Sequence, residues 1–234
     1  MRARSNRLLA SLQPDEHALL SHQLRPVDLA AGTVLETLGE VTEHVHFPLT
    51  GALASVLQTM RDGAAVEVAA IGSEGVVGSI AALGSGVAVA QAVVQLPGTF
   101  LRLPIAAFRP ILAEHRTLGD RMMRYNESLI GQMQQTIACN ALHDVEARLS
   151  RWLLQTQDRI GDDILPFTQE FVGQMLGVRR TTITLVAGML QAADMIRCGR
   201  GKIEILDRQA LENAACECYA PNRTRVDAVL AEPA

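Results

Sequence analysis

Aromatic side chains are scarce in this 234-residue chain, at 3% (five Phe, two Tyr and one Trp). The core that such a length can bury must therefore be built from Ala, Val, Leu, Ile and Met, within a hydrophobic fraction of 48% that excludes a disordered chain. Cysteine is also sparse. Four thiols, at positions 139, 198, 216 and 218, show no framework spacing and fit a reducing compartment, the cytoplasm. The basic start MRARSNR is not followed by an apolar stretch of the length a secretory signal needs. Charge is missing altogether from Gly75 to Leu101, a stretch long enough to span a membrane. Glycines, serines, two glutamines and Pro97-Gly98 interrupt it, so it reads as buried strands and loops and no membrane partner is expected. No nucleophile–base pair, P-loop or metal triad appears, which removes the enzyme classes those motifs mark. A net charge of −4 excludes a protein that coats nucleic acid along its length, but not one with a local basic patch.

What is present changes texture along the chain. Two short helical pieces (6–12 and 14–22) precede a run of strands with turns about every dozen residues. TVLETL lies between Gly32 and Gly39, and HVHFPLTG and ALASVLQT lead into Arg61-Asp62-Gly63, after which AAVEVAAIG returns. Asp-Gly between alternating runs predicts a hairpin, and the repeated turns predict a small β-roll. From Leu118 to His143 there is no proline and only two glycines, Gly119 and Gly131. Leu118, Met122, Tyr125, Leu129, Gln132, Thr136, Cys139 and His143 alternate spacings of four and three, the seam of a dimer helix. A second stripe (Met123, Ile130, Met133, Ile137) covers another surface, and an ordinary core helix with two buried faces is the alternative. Dimerisation is assigned to Leu118, Met122, Tyr125, Leu129, Gln132 and Thr136. A further helix over 144–159 ends at Gly161-Asp162-Asp163, whose acidic pair lacks companions for a metal site.

The stretch TQEFVGQMLGVRRTTITLVAGMLQ places Thr168 as an N-cap, a short helix, a turn at Gly177, and a second helix with Ile183, Val186, Ala187 and Leu190 on one face. Thr181, Leu185 and Gly188 then lie opposite the core, flanked by Arg180 and Thr184, with Arg179 and Arg180 at the helix start. This is the layout of a helix-turn-helix whose second helix meets base edges. A hairpin around Gly199-Arg200-Gly201 follows as a wing. Between Leu176 and Arg208, six basic residues (Arg179, Arg180, Arg197, Arg200, Lys202, Arg208) outnumber three acidic ones (Asp194, Glu204, Asp207), a basic patch on an acidic chain. The expected DNA-binding set is Thr168, Arg179, Arg180, Thr181, Thr182, Thr184, Leu185, Arg200 and Lys202.

This segment resembles the signature T-x-x-x-[IL]-[AG]-x-x-[LV]-G-x-[ST]-R-E-T-[VI]-x-R-x-L of the Crp/Fnr family of bacterial transcription regulators. Thr168, Val172, Gly173, Leu176, Gly177, Arg180, Thr182 and Ile183 match, and HVHFPLTGAL and VEVAAIGSEGVVG resemble the family's roll. The resemblance covers nearly the whole chain. It implies an α+β fold: a β-roll effector domain of jelly-roll, cyclic-nucleotide-binding-like type (1–116), a dimerisation helix (117–143) and a winged helix-turn-helix (144–234). It also implies a homodimer on double-stranded DNA acting with RNA polymerase. Thr181 replaces the family's Glu, Leu185 a frequent second Arg, and Arg179 the usual small cap residue, so the operator is expected to differ from the commonest one.

Cyclic-nucleotide members carry F-G-E and, about ten residues on, an Arg paired with the phosphate. Here Gly78-Ser79 stands in place of Gly-Glu, and no arginine lies between Gly75 and Leu101. A buried phosphate would be left uncompensated, so control by cyclic AMP is not expected and an effector, if there is one, is unknown. No cofactor and no metal ligand set are expected. Cys216-Glu217-Cys218 offers two thiols too close together for a cluster, and iron–sulfur members place several cysteines near the N-terminus, where this chain has none. His44 and His46 share one side of a strand, a pattern common in plain surface or packing. The reading is a dimeric transcription regulator. The alternative is a small-molecule, redox or metal sensor whose helix-turn-helix is vestigial or serves protein contacts.

Overall fold

The computed structural model describes residues 5–231. Two short helices, α1 (Arg7–Ala10) and α2 (Pro14–Ser21), precede seven strands: β1 (Arg25–Leu29), β2 (Val34–Glu36), β3 (His44–Pro48), β4 (Leu53–Thr59), β5 (Ala65–Ile71), β6 (Gln91–Leu96) and β7 (Gly98–Pro104). Between β5 and β6 lies the short helix α3 (Ser79–Leu83). The uncharged stretch thus holds a helix as well as strands and loops, and no described helix is long and apolar enough to cross a membrane. The strands pair antiparallel in two sheets, β1-β7-β3 and β2-β6-β4-β5. The β4–β5 hairpin turns at Asp62-Gly63, where Asp62 Oδ1 accepts from the Ala64 N–H at 3.0 Å.

Helices α4 (Ile105–Glu114) and α5 (Arg116–Leu142) follow. Leu118, Met122, Tyr125 and Leu129 of α5 join Val45, Phe47, Phe100, Leu103 and Phe108 in the core of the roll. Their polar neighbours serve the same contact: Gln132 Oε1 accepts from the Ala70 N–H at 3.1 Å, and Tyr125 Oη accepts from the Val76 N–H at 3.0 Å. Gly75 makes room for that ring, since a Cβ there would stand 2.2 Å from Tyr125 Oη.

The stripe expected to meet a twin is therefore buried against the chain's own roll. Leu118 and Met122 are fully covered, and Tyr125, Leu129, Gln132 and Thr136 are buried too. Each fully buried apolar side chain contributes about 1.5–3 kcal/mol, so rotating the helix to free this stripe would cost the roll its core. The exposed stripe is the other one, with Met123 56%, Ile130 46% and Ile137 65% exposed, while Met133 is partly buried against the roll. The periodicity of the helix does not say what covers this stripe. A polar Gln or Thr at a seam position reads alike whether it serves a partner helix or a sheet's own backbone.

The remaining elements are α6 (Val145–Ile160), β8 (Ile164–Leu165), α7 (Gln169–Leu176), α8 (Arg180–Ala192), β9 (Ile196–Gly199), β10 (Lys202–Ile205), α9 (Arg208–Ala214) and α10 (Tyr219–Ala231). Asp144 caps α6 by accepting from the Ala147 N–H at 2.9 Å. Strands β8, β10 and β9 form a small antiparallel sheet beside the helices. The second core unites Leu149, Trp152, Leu153, Val172, Ile183 and Leu190 with Leu53, Leu57 and Leu96 of the roll. The two halves also meet through polar contacts. Trp152 Nε1 donates to Glu67 Oε1 at 2.8 Å, and Arg159 pairs with Glu74 at 3.1 Å with both side chains buried. Helix α10 returns to pack on α5.

Candidate nucleic-acid interface and sensor cavity

Thr168 Oγ1 accepts from the Phe171 N–H at 3.1 Å and starts α7 as its N-cap. Gly177 ends that helix at φ 65°, a left-handed position that favours glycine, with the Val178 N–H bonded back to Gly173 O at 2.9 Å. The turn is compact, and α8 begins three residues later. Ile183, Val186, Ala187 and Leu190 are buried beneath α8, so the opposite face must point outward. Thr181, Thr184 and Gly188 are exposed on it, and Leu185 is 67% exposed. Arg179 occupies the N-cap position and Arg180 the first turn, both exposed.

Thr182 is half-buried, its N–H bonded to Arg179 O at 3.0 Å. Thr184 Oγ1 lies 2.8 Å from Gln169 Oε1 and 3.1 Å from Arg180 O, so its proton ties the recognition helix to the start of α7. The β9–β10 hairpin turns at Arg200-Gly201, between the paired Gly199 and Lys202. Gln191 of α8 accepts from the Cys198 N–H at 2.9 Å and fixes the hairpin to the helix. Arg197 is paired with Glu204 across the wing at 3.1 Å. Arg179, Arg180, Arg200 and Lys202 form no ion pair among the described residues. Their charge is thus directed to solvent beside an uncharged helix face, an arrangement suited to phosphate oxygens and base edges.

A cavity of about 30 Å³ lies between the roll and α5, lined by residues that include Glu36, Val56, Ser79, Ala81, Leu129 and Met133. Small-molecule sites span about 300–1,000 Å³, so this one holds little more than a water. Ser79 Oγ donates to Asn126 Oδ1 of α5 at 2.6 Å, and burial pushes the Glu36 carboxyl above its usual range. Among the described residues no arginine lines the cavity. Arg102 sits on β7 opposite His46, in the other sheet, and Arg124 lies by α10.

The rings of His44 and His46 are 6.1 Å apart, and His46 Nδ1 is buried with no hydrogen-bond partner among the described residues. Burial, then His44 and Arg102, pushes the His46 imidazole down to about 4. Sequence spacing misses one grouping: Cys139 and His143, one turn apart at the end of α5, meet Cys216 and Cys218 from the turn between α9 and α10. The signal was present as C-x-x-x-H on a helix and C-x-C far downstream, but nothing local links the two.

A β-roll, a long helix and a winged helix-turn-helix with an outward basic patch define a two-domain DNA-binding transcription regulator. The sequence matches the cyclic nucleotide-binding domain over residues 26–115 and the Crp-like helix-turn-helix domain over 147–214. The chain belongs to the Crp/Fnr family. It is 20% identical over 215 residues to the CRP-like cAMP-activated global transcriptional regulator of Mycobacterium tuberculosis, spanning 89% of this chain and 96% of that one. Among solved structures it is similar to FixK2 of Bradyrhizobium japonicum (TM-score 0.71, 15% identity, 82% and 98% of the two chains). It is also similar to CLP, the c-di-GMP responsive global regulator of Xanthomonas campestris (TM-score 0.66, 12% identity, 82% and 99%). At these identities the likeness concerns the fold.

Proposed function

We propose that the protein is a cytoplasmic homodimer that reads an inverted-repeat operator through α8, acts with RNA polymerase and is not controlled by cyclic AMP. The observation that carries this reading is the exposed set Arg179, Arg180, Arg200 and Lys202, without ion pairs among the described residues, around the uncharged outer face of α8. Arg180, at the position of the family's reading arginine, takes a guanine edge, while Arg179, Arg200 and Lys202 take phosphates. Thr181 and Leu185 reach thymine methyls, and Thr168, Thr182 and Thr184 hold the backbone approach. The second copy covers Met123, Ile130 and Ile137, the apolar stripe that the roll leaves open. The small cavity, its lack of arginine among the described residues and the Ser79–Asn126 bond support independence from cyclic AMP.

Selection of bound duplexes from a random pool tests the reading. The expected product is an inverted repeat with half-site centres about 34–36 Å apart, one helical turn, bound with a steep salt dependence. Isothermal calorimetry with cyclic AMP is expected to give no saturable heat. A single unrepeated half-site, or duplex binding indifferent to salt, would contradict the DNA part and favour protein contacts for the helix-turn-helix. A low-micromolar Kd for cyclic AMP would contradict the other part.

A further inference from the structure

We propose that Cys139, His143, Cys216 and Cys218 form a closed zinc site that fastens the end of the long helix to the DNA-binding domain. The four donor atoms lie within 4.8 Å of one another, and all three thiols are buried. Zinc–sulfur and zinc–nitrogen bonds of about 2.3 and 2.0–2.1 Å in a tetrahedron set donor–donor edges of about 3.8 Å for S···S and 3.5 Å for S···N. Cys139 Sγ and Cys216 Sγ are 3.5 Å apart, and Cys218 Sγ is 3.5 Å from His143 Nδ1. These separations suit a shared ion. They are far from the roughly 2.05 Å of a disulfide.

The surroundings are those of a ligand set. Gln135 Nε2 donates to Cys218 Sγ at 3.0 Å, and the backbone of Cys218 bonds to the Cys216 sulfur. Glu217 Oε2 stands 3.3 Å from His143 Nε2, which turns the other ring nitrogen, Nδ1, toward the sulfurs. A carboxylate on the outer nitrogen of a metal-bound imidazole is the usual way such a ring is oriented. Three thiolates and one Zn²⁺ carry one net negative charge, and the Arg148 and Arg151 guanidinium groups act on Cys139 from α6. Four protein ligands leave no open position, so the ion is structural. Cys139 and His143 close α5 immediately before Asp144 opens α6, while Cys216 and Cys218 precede α10, which packs back on α5. One ion thus staples the hinge between the two halves.

The full-length protein, expressed in zinc-replete medium and purified under reducing conditions, is expected to carry about one zinc per chain. Cobalt exchanged into the site is expected to give the intense visible bands and sulfur charge-transfer absorption of a tetrahedral Cys3His ion. A mercurial reagent is expected to release the zinc from the folded wild type. Cys218→Ser and His143→Ala should lose the ion, and Cys198→Ser, altered in the wing, should keep it. Glu217 is exposed, so Glu217→Gln leaves the fold intact and should weaken zinc binding about tenfold. Metal-free protein, zinc retained equally by Cys218→Ser, a Cys139–Cys216 disulfide or an iron–sulfur chromophore would each overturn the proposal. Zinc content reads this site alone, so its outcome is distinct from that of the operator experiment.

Discussion

Burial of the His46 imidazole, with His44 and Arg102 close by, holds it neutral and so ties the stability of the roll to pH. The ring titrates near 6.5 in the unfolded chain and near 4 when folded, so the unfolded state binds more protons between those values. The stabilisation is full above about pH 6.5 and is lost as the pH falls towards 4, on the order of 3 kcal/mol in all. His46→Phe keeps a ring and removes the proton. Its melting temperature is expected to fall less than that of the wild type between pH 7 and 5, and equal slopes would contradict this. The two-residue spacing of His44 and His46 was legible as a shared side of one strand. Their different burial was not, because it depends on Val77, thirty-one positions from His46, which bridges to it. The same distance effect hid the Cys139–Cys216 contact, 77 residues apart in sequence.

Among the elements, α8 is legible in detail because its pattern is self-sufficient: a glycine-ended turn before it, buried positions at helical spacing within it and an uncharged outer face. For α5, period alone gave a helix with two apolar stripes but not which stripe met which neighbour. That choice depends on hydrogen bonds from Ala70 and Val76 of the roll, and these cannot be read from the helix. The two stripes make opposite predictions. Leu129→Asp places a charge in the core of the roll and is expected to destabilise the chain by more than about 3 kcal/mol in denaturant titration. Ile137→Asp sits on the open face, so its denaturation midpoint should hardly move while sedimentation at micromolar concentration shifts to monomer. A folded, dimeric Ile137→Asp would remove α5 as the interface.

At the scale of the molecule, the winged domain and the roll share a core and two buried polar links, Trp152–Glu67 and Arg159–Glu74. Glu74→Gln leaves Arg159 buried without its charge partner. The expected cost is on the order of 3 kcal/mol, read as a lower denaturation midpoint and a single transition splitting into two; an unchanged single transition would show that the halves are not coupled there. The order of roll, long helix and winged domain was legible from turn spacing, proline absence and the Arg-Arg helix. The packing of one half on the other was not, because Glu67 and Trp152 lie 85 positions apart. On the proposed operator, an exposed arginine at the start of α8 reads a base while the wing holds phosphates. Base preference at every operator position, measured for wild type, Arg180→Ala and Arg200→Ala across a salt series, tests it most directly. Arg180→Ala is expected to flatten preference at one symmetric guanine, about 1–3 kcal/mol per half-site. Arg200→Ala should weaken all sequences alike and reduce the salt slope by about one. Uniform weakening by Arg180→Ala, with the guanine preference intact, would contradict the account.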